Sequence, residues 1–298
     1  MRISTLRAVV QSSRPPFLLL TPACVALGAA CAAHSGFSYG AADLILALIG
    51  GISAHVSVNT FNEYFDFSSG LDATTERTPF SGGSGSLLKT PGALNSVRNC
   101  AWATLVLAFG IGLYFLIQAG PAIVPIGLLG IVIIYAYTTY INQSPWACLI
   151  APGLGFGPLM VIGTQAALTG RYSLLAVVAS LIPLFLVSNL LLVNQLPDIQ
   201  ADQNVGRRHI AITYGWQFAV KVYLILASAA FVSVWVGIIF GSLPSMSFWV
   251  LPIIALSGLV YKKLSGATKI TPEMMPEMGL NVLIAIAAPA LLAITLLL

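Results

Sequence analysis

Apolar runs of about 20 residues, the length a helix needs to cross the hydrocarbon core of a membrane, recur along the whole chain. Backbone N–H and C=O groups in lipid must hydrogen-bond to one another, so only helices or a closed barrel can span the membrane. The runs are continuously apolar instead of alternating, which excludes barrel strands. The sequence therefore predicts an all-α polytopic membrane protein with about nine transmembrane helices. Their approximate bounds are 17–37, 42–64, 97–118, 121–140, 147–168, 173–196, 217–240, 246–262 and 279–298.

Composition agrees with this fold class. Of 298 residues, 58% are hydrophobic and 7% are charged, against roughly a quarter charged in soluble domains. No polar stretch is long enough to fold separately, so we predict a single domain over residues 1–298. The net charge of +4 does not indicate nucleic-acid binding. This composition predicts that most of the protein surface contacts the lipid bilayer.

The basic residues are divided unequally between the two sides of the predicted bundle. With a cytoplasmic amino terminus, only Arg171 of the 13 Lys and Arg residues lies on the far side, as the positive-inside rule describes. The nine acids follow the same division and leave only Asp43 opposite, although that rule does not govern acids. We therefore predict a multi-pass protein of the cytoplasmic (inner) membrane. Its two long cytoplasmic loops run at about 63–96 and 196–216.

Each of these two loops begins with a cluster of oxygen-bearing side chains. In both clusters the spacing of four residues puts the side chains on one helical face, and Gly70 can end the first helix. Carboxylate and amide oxygens suit Mg²⁺, which completes its shell with water and substrate phosphate. Solvated helix ends are the alternative for either cluster alone, but two clusters on one face favour a site. The predicted metal ligands are Asn62, Asp66, Asp72, Asp198 and Asp202, with Asp66 and Asp198 as the catalytic pair.

Basic residues follow each cluster. Arg77 comes after the first, Arg207 and Arg208 come directly after the second, and Lys89 is a weaker candidate further along the first loop. Such residues are what a diphosphate leaving group needs, because its negative charge grows as the bond breaks. The glycine-rich segment 78–86 could present backbone N–H groups to phosphate, or it could be a plain flexible loop.

Polar residues within the apolar runs predict a substrate pocket beside the clusters. Asn59 and Asn194 precede the first and second cluster. Tyr135 and Tyr137 lie near the cytoplasmic end of the fourth helix, where their π faces could shield a cation. Tyrosines of an interfacial belt have the same sequence pattern, so both interpretations stay open.

The motifs resemble those of the UbiA-superfamily intramembrane aromatic prenyltransferases, and within them the 1,4-dihydroxy-2-naphthoate polyprenyltransferases of menaquinone synthesis. The segment Asn62-Glu63-Tyr64-Phe65-Asp66 with Asp72 is similar to the first Asp-rich motif of that family. The segment Asp198-Ile199-Gln200-Ala201-Asp202 with Gly206-Arg207-Arg208 is similar to the second. Supporting matches are Ser13-Arg14-Pro15, the segment 77–83 and Gly155-Phe156-Gly157-Pro158-Leu159, so the resemblance spans nearly the whole chain.

This resemblance implies Mg²⁺-dependent transfer of a polyprenyl group from polyprenyl diphosphate to an aromatic acceptor, 1,4-dihydroxy-2-naphthoate. Two departures concern the acceptor: His209 stands where the family has Thr, and the connection 142–146 has no basic residue. A sister activity with 4-hydroxybenzoate, a tocopherol-type ring or a geranylgeranyl acceptor is the alternative among enzymes. A secondary transporter is disfavoured, because transporters place charges near the bilayer midplane.

Overall fold

The computed structural model describes residues 2–298, and within them the chain forms helices and connecting turns without any β-strand. Among these described residues, eight helices are long and apolar enough to cross a membrane, and a shorter apolar helix, α5, has 17 residues. The all-α membrane fold predicted from the sequence is confirmed. The helices are α1 (Arg2–Ser12), α2 (Pro15–His34), α3 (Ala41–Ser68), α4 (Pro91–Ala119), α5 (Ile123–Thr139), α6 (Pro145–Thr169), α7 (Leu174–Gln195), α8 (Trp216–Ile239), α9 (Ser245–Ser265) and α10 (Pro272–Leu297).

The two long loops are shorter than the sequence predicted. Helix α3 continues for one more turn, to Ser68, and the left-handed residue Gly70 (φ 80°) then turns the chain. The first loop therefore runs from 69 to 90 and the second from 196 to 215. Both contain short helical turns, of which Leu71–Thr74 and Ile199–Asn204 carry carboxylates of the two clusters.

Helix α1 is an element that the sequence analysis did not predict. It is too short to cross a membrane, and Ile3 and Leu6 on its surface are 85% and 66% exposed. Its inner side packs on the first loop, where Ala8 belongs to a small apolar cluster with Leu87. Helix α1 therefore supports the first loop from outside.

Helix α7 lies at the centre of the core and packs against α2, α6, α8 and α10. Its contact with α6 depends on glycine, because small residues let two membrane helices approach closely. A Cβ atom added at Gly157 would lie 2.5 Å from the carbonyl oxygen of Ser180, and one at Gly153 would lie 2.2 Å from that of Leu184. Helix α6 is wound as a π-helix from Gly155 to Ile162, a geometry that is common at functional sites.

We expect Gly157→Ala to lower the melting temperature in detergent more than Gly155→Ala does. The added methyl group at 157 would meet the backbone of α7, and such overpacking costs about 1–3 kcal/mol. The methyl group at 155 would meet no neighbouring atom within 4 Å, and both changes lie in the same π-helical segment. Equal melting temperatures for the two variants would contradict this account of the α6–α7 contact.

Candidate active site

The two acidic clusters meet at Arg207. This residue follows the short helix Ile199–Asn204, and its Nη2 donates to Oδ1 of Asp66 at the end of α3. Its Nη1 donates to Oδ1 of Asp202 at 2.9 Å. Burial lowers the pKa of Arg207, but Asp66 and Asp202 together raise it above its ordinary value. A permanently charged guanidinium therefore joins two segments that are 141 residues apart.

The first loop supplies the contact to Asp198. The backbone N–H of Gly82 donates to Oδ2 of Asp198 at 3.0 Å, and Gly82 has the left-handed φ of 78° that glycine adopts without strain. The other oxygen, Oδ1, is buried and accepts no hydrogen bond within residues 2–298. Burial, with a smaller contribution from Asp202, raises the pKa of Asp198 to about 7.

Asp72 faces the same site because the turn at Gly70 folds the chain back. Its side chain is buried, and Oδ2 lacks a hydrogen-bond donor among the described residues. Burial, with further contributions from Glu63 and Asp66, raises the pKa of Asp72 to about 7. Nη2 of Arg77 donates to the backbone oxygen of Asp72 at 2.8 Å, so Arg77 also lies at the site.

The remaining predicted ligands of metal and diphosphate are less closely associated with the carboxylates. Asn62 accepts a hydrogen bond from the hydroxyl of Thr138 and lines the cavity described below. Arg208 and Lys89 are exposed. In the part of the chain that the structure describes, neither of their side chains forms a hydrogen bond or ion pair with the acidic clusters.

An apolar cavity of about 520 Å³ extends between α2, α3, α4, α5, α6 and α7, and its wall includes Arg14, the partner of Glu63. Asn59, Asn194 and Tyr137 line it, and Oδ1 of Asn194 is buried without a partner among residues 2–298. Tyr135 does not line this cavity; it is 44% exposed and packs edge-on against Phe61 at 6.0 Å. Residues two apart on a helix point in different directions, which separates the two tyrosines.

Glu63 is a residue to which the sequence analysis gave no role, although it lies inside the first motif. It is only 1% exposed, and its Oε1 accepts from Nε and Nη2 of Arg14, both at 3.2 Å. The backbone N–H and the hydroxyl of Ser84 donate to its two oxygens at 2.7 Å. Glu63 therefore fixes both the amino-terminal segment and the glycine-rich loop to α3. The position of this acid directly beside Asn62 in the sequence was the signal that could have identified it.

Two histidines also lie at the site. His209 is buried, with Nε2 at 3.4 Å from Oδ2 of Asp202, so the departure from the family's Thr faces an acidic residue of the second cluster. His55 lines the cavity, and its Nδ1 lies 2.8 Å from the hydroxyl of Thr21. In the sequence, neither residue stands at metal-ligand spacing to another histidine.

The side chains of the two clusters offer oxygen atoms, the ligands that a hard divalent cation prefers. Residues 2–298 contain no group of three or more His, Cys, Asp or Glu side chains already arranged to hold a metal. Mg²⁺ does not require such a group, because it commonly binds one or two carboxylates together with substrate phosphates. The unpartnered oxygens of Asp72 and Asp198 fit that ion, and cation binding would offset the raised pKa of both groups.

The structure combines membrane helices, two acidic loops and an apolar cavity. The sequence motifs predicted these same features. The chain belongs to the UbiA prenyltransferase family, whose model matches residues 19–272. The family predicted from the motifs is thus confirmed.

Two curated relatives carry the same name. The chain is 30% identical over 184 residues to a 1,4-dihydroxy-2-naphthoate octaprenyltransferase of Bacillus subtilis, covering 61% of this chain and 57% of that protein. It is 27% identical over 210 residues to the protein of that name in Mycobacterium tuberculosis, covering 69% of each chain. The match therefore spans little more than half of the first relative.

A solved structure has the same fold. A UbiA homolog from Archaeoglobus fulgidus, whose structure contains DMAPP and Mg²⁺, superposes with a TM-score of 0.68. The superposition covers 96% of this chain and 98% of that one, at 15% identity. The arrangement of helices is therefore that of UbiA proteins.

We expect Glu63→Ala to release the glycine-rich loop. Removing one partner from a buried charged network costs roughly 3–5 kcal/mol, so trypsin should cleave after Arg77 at least about tenfold faster in the folded protein. The control is Glu273→Ala, because Glu273 is an exposed acid that does not neighbour Arg77 in the sequence. Equal cleavage rates in the Glu63→Ala variant and its control would show that Glu63 does not fix the loop.

Proposed function

We propose that this protein transfers a polyprenyl group from polyprenyl diphosphate to an aromatic acceptor, with Mg²⁺, and that the acceptor is 1,4-dihydroxy-2-naphthoate in menaquinone biosynthesis. The observation that carries the proposal is the junction between the acidic site and the apolar cavity. Asn62 and Asn194 line the cavity and precede Asp66 and Asp198 by four residues each, and Arg14, the partner of Glu63, lines it as well. A substrate with a charged head and a long apolar tail suits this junction. The names of the two bacterial relatives support the acceptor.

We further propose that the whole chain forms one domain in the cytoplasmic membrane and that the loops 69–90 and 196–215 face the cytoplasm. The division of basic residues supports this orientation, since Arg171 alone of the 13 lies opposite.

Asp66, Asp72, Asp198 and Asp202 would hold Mg²⁺, with Asn62 contributing its amide oxygen. When bound, the ion neutralises the diphosphate and makes it a better leaving group. The unpartnered oxygens of Asp72 and Asp198 support this assignment. The archaeal homolog that binds DMAPP and Mg²⁺ supports the same ion and the same class of donor.

Arg207 carries the principal positive charge of the protein at the diphosphate end. Its guanidinium is already held by Asp66 and Asp202, so it needs little reorganisation to donate hydrogen bonds to phosphate oxygens. Arg77 lies on the other side, against Asp72. Arg208 and Lys89 are exposed and would reach the diphosphate from the loops. Together these side chains stabilise the negative charge that grows as the carbon–oxygen bond breaks.

The apolar cavity is where the prenyl chain and the acceptor would bind. Its apolar wall accepts the prenyl chain and keeps water from the cation-like carbon that forms when diphosphate leaves. The ring of Tyr137 lies on this wall, where its π face stabilises positive charge; Tyr135 would act from outside, through the aromatic cluster with Phe61. Asn59 and Asn194 offer the polar contacts that orient the acceptor.

The test is mass spectrometry of the products made by the purified protein from one polyprenyl diphosphate and a set of acceptors. With Mg²⁺ present, we expect a prenylated product from 1,4-dihydroxy-2-naphthoate. Chelation should stop its formation, and added Mg²⁺ should restore it. A product from 4-hydroxybenzoate or an isoprenoid alcohol alone would replace the proposed acceptor. Prenyl transfer by metal-free protein would contradict the role of Mg²⁺.

A further inference from the structure

A second cavity, of about 630 Å³, lies between the end of α9 and the start of α10. Its wall includes Lys262 and Lys263 from the last turn of α9 and Glu277 from the second turn of α10. None of these residues belongs to the acidic clusters or to the apolar cavity of the proposed reaction.

The charges in this cavity are incompletely paired. Oε2 of Glu277 is buried and accepts no hydrogen bond from any residue between 2 and 298. Lys262 and Lys263 line the same cavity but form no ion pair with Glu277, and both remain exposed. A buried carboxylate oxygen without a donor is costly, so a ligand that brings N–H groups to Glu277 would be stabilised there.

The surface beside the cavity is apolar. Leu259, one helical turn before Lys263, and Leu283 on α10 are each 57% exposed, and both belong to helices that are long and apolar enough to span the membrane. A ligand with its charged part among Lys262, Lys263 and Glu277 can therefore lay acyl chains along these leucines. Cationic side chains at the end of a membrane helix attract lipid phosphate.

We infer that this cavity binds the headgroup of a phospholipid that carries both a phosphate and a primary ammonium group, such as phosphatidylethanolamine. The phosphate pairs with Lys262 and Lys263, and the ammonium group donates a hydrogen bond to Glu277. Phosphatidylglycerol offers the phosphate and hydroxyl donors but no cation. Phosphatidylcholine offers a cation without an N–H donor. Only ethanolamine combines a cation with N–H donors, so it should bind more tightly than either of the other two.

A lipid bound in this cavity would also contact the turn of α10 on which the glycine-rich loop packs. Gly279 lies between Glu277 and Leu280 of the cavity wall, and a Cβ atom added there would be 3.3 Å from the ring of Phe80. Phe80 belongs to the loop in which Gly82 donates to Asp198. A lipid at this cavity therefore stabilises the helical turn on which the loop packs.

The experiment is native mass spectrometry of the full chain in detergent, titrated with phosphatidylethanolamine, phosphatidylcholine and phosphatidylglycerol of identical acyl chains. We expect phosphatidylethanolamine to bind at a concentration roughly tenfold lower than phosphatidylglycerol, the effect of one charge-assisted hydrogen bond. Glu277→Gln should abolish that preference, and Lys262→Ala with Lys263→Ala should weaken the binding of all three lipids. Glu273→Gln and Lys269→Ala are matched controls, because both residues are exposed and outside the cavity wall.

Equal binding of the three lipids by the unaltered protein would overturn the inference without any variant. A preference for phosphatidylglycerol would mean that the lysines bind phosphate alone. An unchanged ethanolamine preference in Glu277→Gln would exclude Glu277 as the partner of the ammonium group. Glycerophosphoethanolamine, which has no acyl chains, should not displace the lipid at equal concentration; displacement would identify a site for soluble phosphates. None of these readouts depends on prenyl transfer.

Discussion

The ion pairs of Arg207 with Asp66 and Asp202 are the interaction on which the rest of the site depends. They join the end of α3 to the loop after α7, and they do so close to lipid, where an unpaired charge is costly. A buried ion pair contributes little net stability, but the loss of one partner costs several kcal/mol. The pairing therefore fixes which segments must be together in the folded protein. Because Asp66 and Asp202 bind the same guanidinium, these two carboxylates lie at one site.

The glycine-rich loop closes this arrangement from the other side. Thr78 begins it with a hydroxyl that accepts hydrogen bonds from the backbone N–H groups of Phe80 and Ser81, at 3.1 and 2.9 Å. Gly82 then reaches Asp198, and Ser84 reaches Glu63. The sequence left open whether this segment presents N–H groups to phosphate or is a plain flexible loop, and these contacts give it a defined conformation. Its N–H groups are used here by the protein's own carboxylates.

Much of the fold could be predicted from sequence, because the information is local. Continuous apolar runs specify membrane helices. The nine predicted segments all correspond to apolar helices to within several residues, and eight of these helices are long enough to cross a membrane. The spacing of Asp198 and Asp202 predicts a shared face, and the left-handed turn at Gly70 explains why Asp72 returns to the site. The short helix α1 escaped because it is neither long enough for a span nor strongly patterned.

The contacts that assemble the site could not be predicted in the same way. The hydrogen bond from Gly82 to Asp198 joins residues 116 apart, and nothing in either local sequence encodes it. Glu63 has the same chemical character as its acidic neighbours, yet its partners are Arg14 and Ser84. The sequence did not distinguish Tyr135 from Tyr137. Only the rotation of α5 in the structure places Tyr137 on the cavity wall and leaves Tyr135 exposed.

If the two acidic clusters form one catalytic site, Asp66 and Asp198 act as one unit, which a double-mutant cycle on turnover can measure. Asp66→Asn and Asp198→Asn each keep the shape of the side chain and remove its charge. Residues that act as one unit are strongly non-additive. Each single variant should therefore lose nearly all turnover, and the double variant should be hardly slower than the slower single one. Losses that multiply in the double variant, or an undiminished rate in either single variant, would show that the clusters do not act as one site.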